Sequence, residues 1–179
     1  MGPKWTFLRN ERSGTLGAAG LNFDIPAGAS SVFQNTGTLS LYPYITMGQS
    51  FCHSKCGTFN LLGSMGYNVS VNDERSDYLS TNLHLDYDVY NMHRIYPLLE
   101  LSWRYYTQAG KTNNFGFEGG DLYNFGSTGV SGRNNMDLAF GARFKCSEWW
   151  QIGTSFSFPI VGTKDMNDFR WTFDMIFRY

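Results

Sequence analysis

The chain has 179 residues, with 14 basic and 15 acidic side chains and a formal net charge of −1. That length fits one domain, and the near-neutral balance argues against a nucleic-acid binder, which needs a basic face to neutralise phosphates. Aromatic residues at 17% argue against intrinsic disorder, and charged residues reach only 16% against about 25% in typical globular chains.

The start, Met1-Gly2-Pro3-Lys4-Trp5, shows no basic segment followed by an apolar one, so no secretory signal is visible there. Nor does any apolar run approach the ~18 residues of a membrane helix, although such a count says nothing about membrane strands, which alternate. A period of two then runs along almost the whole chain and predicts strands. Trp5 to Arg9 is a short first candidate. Leu21, Phe23 and Ile25 oppose Gly20, Asn22 and Asp24. Leu39, Leu41, Ile45 and Met47 oppose Ser40, Tyr42, Tyr44 and Thr46. Phe59, Leu61, Met65, Tyr67 and Val69 oppose Thr58, Asn60, Ser64, Asn68 and Ser70. The next strand sets Leu79, Leu83, Leu85, Tyr87 and Val89 against Ser80, Asn82, His84, Asp86 and Asp88. Ile95, Leu99, Leu101, Trp103 and Tyr105 face away from Tyr96, Leu98, Glu100, Ser102 and Arg104. Met136, Leu138, Phe140 and Phe144 alternate with Asp137, Ala139, Gly141, Arg143 and Lys145. Trp150, Ile152, Phe156 and Phe158 alternate with Gln151, Gly153, Ser155 and Ser157. Last, Phe169, Trp171, Phe173, Met175, Phe177 and Tyr179 oppose Arg170, Thr172, Asp174 and Arg178. No stretch reads as an amphipathic helix of useful length, so the expected class is all-β.

Alternation does not say which face is outside, but volume does. The last three strands alone carry ten Phe, Trp or Tyr side chains on the apolar face, more than the interior of an eight-stranded barrel can hold together with the other strands' Leu, Trp and Tyr. The small and polar set fits inside instead, with lipid solvating the rings. Connection lengths agree. Short links fall near residues 10–13, 52–57, 90–94 and 146–149, and longer ones at 26–38, 72–78, 108–135 and 162–168, in strict alternation. Membrane barrels sort their turns and loops in this way. The expected architecture is therefore an antiparallel up-and-down transmembrane β-barrel of eight or more strands, forming a single domain over residues 1–179.

The ending Phe173-Asp174-Met175-Ile176-Phe177-Arg178-Tyr179 resembles the C-terminal strand of bacterial outer-membrane β-barrel proteins. Tyr96-Pro97-Leu98-Leu99-Glu100-Leu101-Ser102-Trp103, Glu118-Gly119-Gly120-Asp121-Leu122 and Gly126-Ser127 resemble a group of porin- and transporter-like barrels with no agreed chemistry. The resemblance implies an outer-membrane location, the lipid bilayer as surroundings, and Phe177 with Tyr179 as the signal read by the barrel-assembly machinery. Such proteins usually run longer at the N-terminus. Nine strands would then be the C-terminal majority of a larger, even-numbered barrel, whereas with residues 1–13 as a tail, eight strands would close.

The lumen-lining charges expected on this reading are Asp24, His84, Asp86, Asp88, Glu100, Arg104, Asp137, Arg143, Lys145, Arg170, Asp174 and Arg178. His84 beside Asp86 and Asp88 invites a general-base reading, since a few membrane barrels are hydrolases, but no nucleophile is marked by its context. The plainer expectation is pairing with Arg104, Arg143 or Arg170, and no enzymatic activity. Glu118 and Asp121, in the long loop, are candidates for a pore constriction favouring cations, or for an exposed Gly turn. Cys52 and Cys56 flank His53 in one turn and Cys146 lies in another, so a disulfide among the three or free thiols is expected; two Cys and one His make no closed zinc set. No cofactor or metal is expected. The function these features point to is a passive pore for small solutes with a charged lumen, with a closed structural or adhesion barrel as the alternative.

Overall fold

The computed structural model describes residues 2–27, 37–120, 122–162 and 166–178. Nine antiparallel strands make one up-and-down sheet in the order β1 to β9, and the described residues include no helix. They are β1 (Lys4–Asn10), β2 (Thr15–Asp24), β3 (Ser40–Ser54), β4 (Gly57–Ser70), β5 (Asp77–Val89), β6 (Ile95–Gln108), β7 (Asn134–Lys145), β8 (Trp150–Val161) and β9 (Arg170–Phe177). The segment Trp5–Arg9 is thus a paired strand rather than a tail, joined to β2 across a bulge between Thr6 and Leu8. Short and long connections alternate as expected. Residues 11–14, 55–56, 90–94 and 146–149 turn at one end, while 25–39, 71–76, 109–133 and 162–169 connect at the other.

The sheet curls. One cavity is lined by His84 on β5, Gln151 on β8 and Arg178 just past β9. In a flat sheet β5 and β9 would lie about 19 Å apart at the usual strand spacing. Bonds that skip a strand agree: Tyr42 on β3 reaches Ser80 on β5, and Arg143 on β7 reaches Asp174 on β9. The curl stops short of a ring, for no Cα of β1 lies within 8 Å of β9 and the two strands do not pair. In place of the expected closed barrel there is a nine-strand curved sheet whose two edges, β1 and β9, have no strand partner among the described residues.

Burial is inverted relative to a soluble barrel. Trp171 is 75% exposed, Phe173 66% and Phe140 52%, whereas Ser80 is 3% exposed, Asp88 3% and Ser157 8%. Among the described residues the buried apolar ones are few: Ala18, Ala139, and Tyr106, Phe125 and Val130 around the 109–133 loop. Register explains the polar packing. Small residues on the inner face leave room for neighbours' rings, so Tyr44 covers Gly20 and Tyr42 covers Gly66. Outside, rings form cross-strand ladders, Phe140 on Phe156 at 5.7 Å and Phe59 on Tyr87 at 4.6 Å, the pairings that stabilise antiparallel sheets.

Candidate functional site on the polar inner face

The inner face holds a chain of charged pairs built by register. His84 stands directly opposite Glu100, and its Nδ1 lies 2.7 Å from Glu100 Oε1; Nε2 lies 3.2 Å from Asp86 Oδ2, two residues along the same strand. Asn60 on β4 donates to the other Asp86 oxygen at 2.8 Å. Each ring nitrogen of His84 thus faces a carboxylate. The pairing expected with arginines is replaced by one among nearest neighbours. Arg143 instead donates to Asp174 at 3.0 Å, and Asp88 pairs with His93 in the following turn. Tyr90, Asn91 and His93 adopt φ near +55° in that turn, which Asp88 Oδ1 steadies by accepting the His93 N–H at 2.9 Å.

Toward the long-loop end, Arg104 is buried with its guanidinium 6.0 Å from the centre of the Tyr78 ring. Asp137 and Arg170 line a small pocket with Ser157 and Gly120. Asp24 is exposed on β2 and binds Arg75, a buried residue of the 71–76 turn. Lys145 and Arg178 sit at the short-turn end and line the 220 Å³ cavity with Arg143.

The 109–133 loop folds over the other end of this face. Glu118 is buried, and its carboxylate accepts the Phe125 N–H at 2.7 Å, the Ser127 N–H at 2.8 Å and the Ser76 hydroxyl. Ser76 in turn exchanges two backbone bonds with the Asn124 amide, at 3.0 and 2.7 Å. Gly126, at φ +66°, allows the close approach, since a Cβ there would sit 1.9 Å from the Glu74 carbonyl oxygen. Gly120 borders both the pocket with Asp137 and Arg170 and another with Asp24 and Arg75, so the loop tip spans the mouth of the curl. Glu118 lies in the expected constriction loop, but its carboxylate is engaged by that loop's backbone and by Ser76. Asp121 falls outside the described residues, as does Tyr179; Phe177 is exposed on the outer face, stacked on Trp150.

Behind the loop, Tyr106, Phe117, Val130, Arg133 and Val161 help to line a cavity of about 430 Å³. The three cysteines carry free thiols, Cys52 exposed near the end of β3, Cys56 exposed in the β3–β4 turn and Cys146 half-buried between β7 and β8. Among the described residues no group of three His, Cys, Asp or Glu could hold a metal ion.

Sequence reasoning passed over Arg75. It is the one basic residue in Asp73-Glu74-Arg75-Ser76-Asp77, and that isolation within an acidic turn was the available signal.

No protein-family model, curated protein or solved structure matches the chain. What stands is an all-antiparallel nine-strand sheet of a kind compatible with a β-barrel.

Proposed function

We propose that this sheet is the wall of a bacterial outer-membrane β-barrel that acts as a passive pore for small solutes. The observation that carries the reading is the inverted burial: large rings such as Trp171, Phe173 and Phe140 point outward uncovered, while Ser80, Asp88 and Arg104 are enclosed. A soluble sheet leaving so much contiguous apolar surface in water would aggregate, whereas acyl chains solvate it. The alternation of short turns and long connections supports the same surroundings, with the short-turn end as the periplasmic one on this reading. Buried polar atoms with no partner among the described residues, Arg143 Nε and Arg104 Nη1, suit a wet interior, where water satisfies them. The exposed Phe177 on the outward face of β9 fits recognition by the barrel-assembly machinery.

A second reading has its own support. The 109–133 loop is latched by Glu118 and crosses the mouth, with Phe115, Leu122 and Tyr123 exposed on it. That suits a closed structural or adhesion barrel working through its outer loops. Planar-bilayer recording separates the two. Single-channel current from the purified protein is expected for the pore, and its absence from protein shown to be inserted would leave the closed barrel.

A further inference from the structure

At the short-turn end of the inner face, we infer an oxyanion-binding site formed by Arg143, Lys145 and Arg178. The three cations line one 220 Å³ cavity, which holds a single carboxylate, Asp86. That carboxylate is already committed, one oxygen to Asn60 and the other to His84. The neighbouring acids are engaged as well: Glu100 with His84, Asp174 with Arg143, and Asp88 with His93. Lys145 and Arg178 differ from them. Among the described residues neither ammonium nor guanidinium has a hydrogen bond or a counter-ion, although both sit where the curl gathers the ends of β7, β8 and β9.

Two uncommitted cations beside a third, in a concavity walled partly by Leu98, focus a positive potential that bulk solvent screens less than on an open surface. Tyr96 and Gln151 add a hydroxyl and an amide to the same wall, neutral donors that can complete the coordination of a multiply charged oxygen group. The cavity is below the roughly 300 Å³ at which drug-sized pockets begin, so it suits a small ion such as a phosphate with part of its water shell. Guanidinium groups bind such oxygens in paired fashion, and lysine adds a point charge. The ligand class is therefore a small, multiply charged oxyanion, held at the end of the face away from the latched loop.

The test is titration of the full chain, folded in zwitterionic detergent, with inorganic phosphate, followed by calorimetry and by phosphorus line broadening. Saturable binding is expected, weakened about tenfold by Lys145→Gln or by Arg178→Gln, since each removes one charge-assisted contact worth about 1.4 kcal/mol or more. Lys145→Arg keeps the charge and should restore binding, and Lys111→Gln, at the opposite end, should leave it unchanged. Absence of saturable binding, or equal binding by wild type and both Gln variants with the strand signal in circular dichroism retained, overturns the site. The measurement needs no bilayer. Binding without conductance would therefore count against the pore alone, and conductance without binding against the site alone.

Discussion

Tyr42 reaches across Gly66 to bond Ser80, the two hydroxyl oxygens 2.5 Å apart, and a Cβ on Gly66 would come within 2.4 Å of the tyrosine ring. The glycine is therefore the space through which β3 and β5 are tied over the top of β4. Gly66→Val should displace the ring and cost about 1–3 kcal/mol, the usual penalty for overpacking. Tyr42→Phe should cost about 0.5–1.5 kcal/mol, the net worth of one hydrogen bond. Denaturant unfolding of both variants checks the order; equal stability of Gly66→Val and wild type would show that the ring has another resting place.

Orientation of the two faces predicts a large asymmetry. Phe140 lies near the middle of β7, ladders with Phe156 and points outward. Phe140→Arg should cost about 2–4 kcal/mol in phospholipid vesicles, the penalty for a cation near the bilayer midplane. Ser155→Asn, on the inner face, should stay within about 0.5 kcal/mol. Urea titration of vesicle-inserted protein reads both, and similar losses would contradict an outward lipid face.

Glu118 predicts loop behaviour. Glu118→Ala removes the acceptor of two buried backbone N–H groups, each costing about 1–3 kcal/mol when orphaned. The expected result is rapid proteolysis within residues 109–133 while the strands stay protected. Glu118→Gln keeps an acceptor oxygen and should fall between. Unchanged cleavage of the Ala variant would show that the loop is held by its other contacts.

Between the 71–76 turn and the long loop, Lys111 Nζ lies 2.5 Å from Asp73 Oδ2 and Gln108 donates to the other oxygen at 2.9 Å. The ammonium first, and then the amide, hold the Asp73 carboxyl below the usual carboxylate range. A carboxyl lowered by folding contributes fully above its unfolded value, and that contribution fades as pH falls through the lower folded one. Carbon NMR of the Asp73 carboxyl should therefore show a titration below that of an ordinary aspartate, moved up toward the ordinary value by Lys111→Gln. An unmoved midpoint would sever the link to Lys111.

Alternation made the faces of β8 and β9 readable in advance, because each residue's side follows from parity alone. Nearest-neighbour pairing was not readable. That His84 meets Glu100 rather than an arginine depends on the register of β5 with β6, which no local pattern encodes. Glu118 shows the same limit in the loop. Its charge and its glycine neighbours marked it as unusual, but only the fold brings Phe125, Ser127 and Ser76 to it. Closure was the third gap, since parity along a strand carries no information about what lies beside β1 or β9.

Those two edges have a directional consequence. With nine strands in strict up-and-down order, β1 and β9 point the same way, so joining them directly would make the sheet's one parallel seam. Amide and carbonyl groups left unmatched against hydrocarbon cost several kcal/mol apiece. A ring that keeps every neighbour antiparallel takes an odd number of added strands, and the first of them must descend where β1 and β9 climb.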